Sequence, residues 1–368
     1  MQQTIVVKIG SSSLTTADGG LNRAHISFFA SELGALSASG YKVLLVTSGA
    51  VAAGYLQIGY PQRPKLLHEK QASAAVGQAL LMQAYNDELA RHGVVAAQIL
   101  LTRYDFSNLQ RVQNARDTID ELLHRNIIPI INENDVVSVG ELKFGDNDTL
   151  SALVASLVKA QQLVIITDTD GLYTADPRKH ADAERIARVE TIDDTIRQIA
   201  GGAGSDVGTG GMRSKIIAAE LATRAGVPVF VGKVETSGDT LLAVGGTGKG
   251  TYFETVRSNL STKKQWIGFH SLPQGSVTVD AGAEQALVHS GKSLLPVGVV
   301  EVNGEFEPGD AIDVRNQAGA LLGRGISNYA TWQIRAVKGL SSDEVAKRID
   351  VERLELIHRD EWLTLSQD

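Results

Sequence analysis

The chain has 368 residues, of which 43% are hydrophobic and 21% charged, with a formal net charge of -7. This is the composition of a soluble globular protein too long for one typical domain, and its acidity argues against nonspecific binding of polyanions. There is no cysteine, which removes disulfides, thiolate metal sites and cysteine nucleophiles from consideration.

The chain opens directly on residues 4–9 (TIVVKI), a short apolar run broken by Lys8 and followed by Gly10 and three serines. This reads as a buried strand ending in a loop of an α/β fold. Lys8 has two readings: an edge residue snorkelling to water, or a cation held over a phosphate beside backbone N–H groups. The Gly-Ser-Ser-Ser turn favours the second. Residues 25–38 carry apolar side chains at helical spacing and stop at Ser39-Gly40. A second buried strand, 42–46 (KVLLV), runs into Thr47-Ser48-Gly49-Ala50, a small-residue turn at the carboxyl end of a strand, where open α/β sheets bind ligands. A helix over 50–56 follows, and residues 60–69, with two prolines, read as an exposed loop. The small residues of 70–90 predict a long helix able to pack closely, even against a symmetry mate. A strand over 94–101, a helix over 114–125 and a fourth strand over 127–131 come next.

Residues 132–148 (NENDVVSVGELKFGDND) hold two Asx-rich clusters, 132–135 and 146–148, around an alternating segment, 137–144, that predicts a hairpin. The second cluster opens an apolar helical run over 149–159. Carboxylates and amides gathered at a strand end and a helix N-terminus point to a polar ligand, a metal, or both. Turn formers and helix caps draw on the same residue types, so a purely structural role is the alternative.

A fifth strand, 163–167 (LVIIT), leads into Asp168-Thr169-Asp170-Gly171. The glycine-dense stretch 201–215 places several N–H groups where phosphates can approach. A helix over 214–225 and a strand over 228–231 follow. The GGTGKG patch at 245–250 resembles a Walker A loop, but Lys249 precedes Gly250 rather than Ser or Thr, so it reads as a turn before a last strand. The alternation of strands and helices predicts an α/β fold, a doubly wound, mostly parallel sheet sandwiched by helices. From about residue 266 the texture changes to short β-like runs (276–279, 298–302, 311–314, 323–327) between Gly, Pro and Asp turns, which predicts a small β-barrel-like domain. The expected boundaries are 1–256 for the α/β domain, 257–274 for a linker, 275–353 for the β domain and 354–368 for a tail.

Phosphoryl transfer needs cations on the transferred group, N–H donors around phosphates, and carboxylate to orient the lysines. Lys8, Lys215 at the end of the glycine loop, and the acidic residues after the fourth and fifth strands supply these. Competing motifs are missing: no GxGxxG follows a strand, and there is no GxSxG elbow and no HExxH. The eight histidines lack metal-ligand spacing.

Taken together, KIGSSSLT (8–15), VTSGAVAAG (46–54), NARDT (114–118), PIINENDVV (129–137), FGDNDTLSALVA (144–155), TDTDGLYTADPR (167–178) and GTGGMRSKIIAA (208–219) resemble the glutamate 5-kinases of the amino-acid kinase family. Residues 277–310 resemble a PUA domain. The resemblance implies ATP-dependent phosphorylation of the γ-carboxylate of L-glutamate to glutamyl 5-phosphate, the first step toward proline. Position by position, it implies that Lys8 and Lys215 neutralise the transferred phosphoryl and that Asp148 orients them. Gly10 and Gly49 would supply N–H groups. Ser48, Asn132, Asp135, Asp146 and Asn147 would hold glutamate, the carboxylates taking its α-ammonium and the hydroxyl and amides its α-carboxylate. Thr167 and Asp168, with Thr209, Gly210, Gly211, Met212, Arg213, Ser214 and Lys215, would cradle ATP, and Lys8 would also reach it. Mg²⁺ would be bound mainly through the ATP phosphates, with no direct protein ligand. The resemblance further implies inhibition by proline, with Asp105, Glu141 and the 58–78 segment as effector candidates. It also implies a homo-oligomer, dimer or tetramer, a cytoplasmic location, and contact with the next enzyme of the pathway. Phosphorylation of another carboxylate or of a carbamate is the alternative within the class. RNA binding is the alternative outside it, and the nine Lys/Arg against fifteen Asp/Glu in residues 275–368 argue against it. No apolar run reaches the roughly 20 residues that span a bilayer, and no signal-peptide pattern opens the chain.

Overall fold

The computed structural model describes residues 2–16, 19–138, 147–180, 182–202, 211–255, 264, 267, 268, 271 and 273–365. The chain divides into two compact units, Met1–Arg103 with Arg116–Ser258, and Tyr104–Ala115 with Asn259–Asp368. Among the described residues no helix is long and apolar enough to cross a membrane.

Among the described residues the first unit is built on eight strands: β1 (Thr4–Ile9), β2 (Lys42–Val46), β3 (Ala96–Leu101), β4 (Ile128–Glu133), β5 (Gln162–Ile166), β6 (Arg188–Val189), β7 (Val229–Gly232) and β8 (Gly250–Phe253). Their order is β3-β4-β2-β1-β5-β7-β8-β6, and every pairing is parallel except β7 with β8. The central strands read as continuous apolar runs because a parallel sheet is covered on both faces. Ile5, Val7 and Ile9 of β1 point into one core, together with Ile26, Phe29 and Leu33 of α1 (Arg23–Ala38) and Leu81, Tyr85 and Leu89 of α3 (Leu67–Ala90). Side chains alternate along a strand, so Val6 and Lys8 face the other side, where α5 (Asn147–Leu157) packs on β1 and against α7 (Met212–Arg224).

Between β2 and α3 lies the short α2 (Ala50–Gly54), which packs on α3 backbone to backbone. A Cβ on Gly54 would lie 2.0 Å from the Ser73 carbonyl oxygen, and one on Gly77 1.8 Å from that of Ala50. Only glycine admits this approach.

Several elements differ from the sequence expectation. α3 starts at Leu67, inside the stretch read as a loop. The helix expected from residue 114, α4, spans Leu109–His124; the Asn108 side chain caps it, accepting from the N–H groups of Gln110 (3.1 Å) and Arg111 (3.3 Å). β6 is two residues long and was not foreseen. Of the hairpin expected over 137–144, residues 139–144 lie outside the described residues, and residues 135–137 form a turn rather than the start of a strand.

Among the described residues the second unit carries a five-stranded sheet, order β10-β9-β11-β12-β13, from β9 (Gly275–Val279), β10 (Val299–Gly304), β11 (Ala311–Asn316), β12 (Leu321–Ile326) and β13 (Trp362–Thr364). Residues 354–368, set apart as a tail by the sequence, include β13, which pairs with β12, and Leu356, Ile357 and Trp362, which are buried in the same core as Val277, Ile312 and Tyr329. Residues 104–115 join this unit through main-chain bonds from Leu109 N to Gly309 O (3.0 Å) and Ala311 N to Ser107 O (3.1 Å), and an Asn108 Nδ2 to Asp310 Oδ1 bond (2.9 Å).

Candidate active site

The carboxyl ends of the parallel strands β1, β2, β4 and β5 lie at one end of the first unit's sheet, and Lys8, Ser48, Asn132 and Thr167 stand at or just beyond them. At the centre is Asp148 in the first turn of α5, fully buried. Its Oδ1 is ion-paired with Lys8 Nζ of β1, and its Oδ2 lies 3.3 Å from Lys215 Nζ of α7. Ser214 Oγ stands 2.7 Å from Oδ2 and 2.8 Å from the Gly211 carbonyl oxygen, so its proton is shared between two acceptors. The lysine side chains are 6% and 7% exposed, and the three groups together carry one net positive charge. Burial pushes the Asp148 carboxyl up. The ammonium groups of Lys8 and Lys215, with hydrogen bonds from Lys8 and Ser214, more than offset this and hold it below the ordinary carboxylate range. The edge-strand reading of Lys8 is thereby excluded: β1 is the fourth of eight strands, and its lysine points into a charge cluster.

Two glycines just beyond β1 and β2 are suited to their places for different reasons. Gly10 has ordinary extended backbone, but a Cβ there would stand 3.4 Å from Lys8 Nζ, over the ammonium. Gly49 precedes α2 with φ of 104°, a left-handed conformation that disfavours any side chain.

Beside the charges lies a group of amides. Asn147 Nδ2 is 2.6 Å from the Thr47 carbonyl oxygen, 2.8 Å from Ser48 Oγ and 2.9 Å from Asn132 Oδ1. Asn132, buried at the end of β4, donates to Gln78 Oε1 at 2.9 Å and accepts from the Glu133 N–H at 2.9 Å. Asp135 follows in the turn after β4, half-buried. Ser48, Asn132 and Asn147 are thus brought together, while Asp146 and Glu141 lie outside the described residues.

Nearby, Thr167 follows β5 and its Oγ1 donates to Asp168 Oδ1 at 3.1 Å. Gly211 caps α7, and Met212, Arg213, Ser214 and Lys215 form its first turn, where the positive end of the helix dipole favours an anion. Thr209 and Gly210 lie outside the described residues. Lys249, from the Walker-like patch, pairs with Asp170 (3.1 Å), which also accepts from Tyr173 (2.7 Å); the patch itself is a turn into β8, as expected. Asp105 belongs to the second unit, where Arg111 binds it at 2.9 Å.

Sequence reasoning missed Gln78 as a partner of Asn132, and Tyr85, whose phenol stands 3.3 Å from Thr47 Oγ1 and is raised by burial. The available signal was periodicity: Ala74, Gln78, Leu81 and Tyr85 lie on the buried face of α3, and an amide among them needs a polar partner. No group of three or more His, Asp or Glu able to hold a metal occurs among the described residues, and both Asp148 oxygens are engaged by ammonium groups. With both its oxygens so engaged, Asp148 leaves the two ammonium groups to face the phosphates of a nucleotide and any Mg²⁺ those phosphates carry.

Comparison with known proteins places the chain in a family. The model of the amino acid kinase family matches residues 3–233, and that of the PUA domain residues 275–349. The chain belongs to the amino acid kinase family. Within the family it is 47% identical to the glutamate 5-kinase of Bacillus cereus over 365 residues, 99% of this chain and 100% of that one. It is also 47% identical to the glutamate 5-kinase of Halalkalibacterium halodurans, over 98% of this chain and 96% of that one. The chain is a kinase of the branch that carries this name. The carbamate kinase of Giardia lamblia, solved bound to AMP-PNP, shares the fold at 17% identity, with a TM-score of 0.50 over 69% of this chain and 99% of its own. The family's doubly wound sheet and the separate PUA sheet are those described above.

Proposed function

We propose that this chain transfers the γ-phosphoryl group of ATP to the γ-carboxylate of L-glutamate, giving L-glutamyl 5-phosphate and ADP, as the first step of proline synthesis in the cytoplasm. The observation that carries the reading is the buried Lys8–Asp148–Lys215 cluster beside the Ser48–Asn132–Asn147 amides: a cationic centre for phosphoryl oxygens adjoining donors and acceptors for an amino acid. The substrate name comes from the relatives.

A glutamate carboxylate is already ionised at neutral pH, so no general base is required. One of its oxygens attacks the γ-phosphorus while the bond to the β–γ bridging oxygen breaks, and the electron pair leaves on ADP. Lys8 and Lys215 neutralise charge on the phosphoryl oxygens, and Asp148 keeps the two ammonium groups in place. Gly10 and Gly49 leave space and N–H groups for the phosphoryl and the attacking carboxylate. Asp135, Asp146 and the Ser48, Asn132 and Asn147 group hold the amino acid. Thr167, Asp168 and the segment from Thr209 to Lys215 receive ATP. Mg²⁺ bound to the ATP phosphates supplies further neutralisation.

Proline acts as a feedback inhibitor in this reading, with Asp105, Glu141 and the 58–78 segment as the positions to test, and the chain works as a homo-oligomer able to meet the next enzyme of the pathway. The deciding experiment is a substrate panel: glutamate-dependent ADP formation, and hydroxamate formation with hydroxylamine, compared for glutamate, aspartate, N-acetylglutamate and carbamate, with and without proline. Glutamate alone should turn over, and proline should suppress it. Preference for any other acceptor would overturn the substrate assignment.

A further inference from the structure

Gln78 has no part in the phosphoryl chemistry, yet it touches the acceptor side of the site. It is 9% exposed, on the core-facing side of α3. Its Oε1 accepts from Asn132 Nδ2 at 2.9 Å, and its Nε2 donates to Gln98 Oε1 of β3 at 3.0 Å. Asn132 Oδ1 accepts in turn from Asn147 Nδ2. Four amides thus run in one chain, Asn147 to Asn132 to Gln78 to Gln98, each N–H pointing at the next carbonyl.

Main-chain groups at the inner end set its direction. The Thr47 carbonyl, which can only accept, takes Asn147 Nδ2 at 2.6 Å, and the Glu133 N–H, which can only donate, points at Asn132 Oδ1 at 2.9 Å. Turning Asn147 over would set oxygen against oxygen at Thr47, and turning Asn132 over would set N–H against N–H at Glu133. An amide nitrogen carries two hydrogens, and three oxygens lie within 2.9 Å of Asn147 Nδ2. The donors of Asn147 are therefore spent inside the protein. What it retains for a ligand is Oδ1, an acceptor, which suits an ammonium and not a carboxylate.

We propose that Gln78 is a positioning residue for acceptor recognition. Through Asn132 it holds Asn147 so that Oδ1 is offered to the α-ammonium of the amino-acid substrate, with Gln98 anchoring the outer end. This rests on the functional reading above and changes one detail of it: Asn147 takes the ammonium end of glutamate, where the resemblance assigned amides to the α-carboxylate. Removing Gln78 leaves the buried Asn132 Nδ2 short of an acceptor and loosens the hold of Asn132 on Asn147, so the loss falls on acceptor binding and not on the Lys8–Asp148–Lys215 centre.

The test is steady-state kinetics on the full chain. Gln78→Leu should raise KM for glutamate about tenfold, ~1.4 kcal/mol, with kcat and the KM for ATP within about twofold. Inhibition by glutarate, which has both carboxylates of glutamate and no ammonium, should be unchanged. Gln98→Ala, at an exposed position that leaves the fold intact, should raise the glutamate KM by a smaller factor and add nothing in the Gln78→Leu background, because the relay acts as a unit. Gln98→Ala also carries the test if Gln78→Leu fails to fold. An unchanged glutamate KM in both single variants, an equal loss for glutarate, or additive effects would each overturn the proposal. Lack of glutamate turnover in the unsubstituted protein would instead remove the functional reading, whereas turnover there with unaltered variants removes the relay alone.

Discussion

At the scale of single residues, the proposed chemistry turns on one buried carboxylate between two ammonium groups. Removing Lys8 as Lys8→Ala takes away a cation and leaves the Asp148–Lys215 pair; kcat should fall on the order of 10²–10³-fold with the circular dichroism spectrum unchanged. Asp148→Asn deletes the anion and leaves two buried cations facing each other. A stability loss of about 3–5 kcal/mol in urea unfolding is expected, with kcat falling more than the glutamate KM rises. Acid sensitivity should change in the same variant. Because the folded carboxyl is held below its unfolded value, its contribution is fully present above the ordinary carboxylate pKa of about 4 and is lost as pH falls through the folded value. The unsubstituted protein should therefore lose stability below about pH 4 more steeply than Asp148→Asn, which denaturation midpoints across pH 3–7 would measure.

At the scale of elements, α3 supports both halves of the proposed acceptor side. Its Gly77 lets α2 approach backbone to backbone, which sets the turn bearing Ser48 and Gly49, while the adjacent Gln78 reaches Asn132. Gly77→Ala would push a methyl group into the Ala50 carbonyl, so α2 must move away. A loss of about 1–3 kcal/mol and a raised glutamate KM are expected from calorimetry and kinetics on the same sample. The residues of this arrangement were unequally legible. Lys8 could be singled out because a lysine inside TIVVKI contradicts its surroundings, and Asn132, Asn147 and Asp148 because Asx clusters stand at strand and helix ends. Gln78 looked like an ordinary helix former in an alanine-rich run; only its place on the buried face distinguishes it, and its partners are 20 and 54 positions away in the chain. The short β6 carries too few residues to show a period, and the start of α4 is marked by Asn108 alone, since the residues it begins with are mostly polar.

At the scale of the whole molecule, the chain is not divided at one point. Residues 104–115 belong with the PUA unit although they lie inside the span matched by the kinase family model. Ending the chain at residue 268 would remove Gly309, Asp310 and Ala311, the partners of Leu109, Asn108 and Ser107. Such a truncation is expected to lower the melting temperature of what remains and to expose the 104–115 segment to limited proteolysis, readable by mass spectrometry of early fragments. Unchanged melting and protection would show that the segment finds other partners.

This insertion also bears on how the molecule is made. Asn108 leaves the ribosome 202 residues before Asp310, its hydrogen-bond partner. At synthesis rates of roughly 5–20 residues per second, residues 104–115 wait on the order of 10–40 s for the strands that receive them. The long sequence separation makes these contacts a late event, and residues 104–115 lack their Gly309, Asp310 and Ala311 partners through that interval.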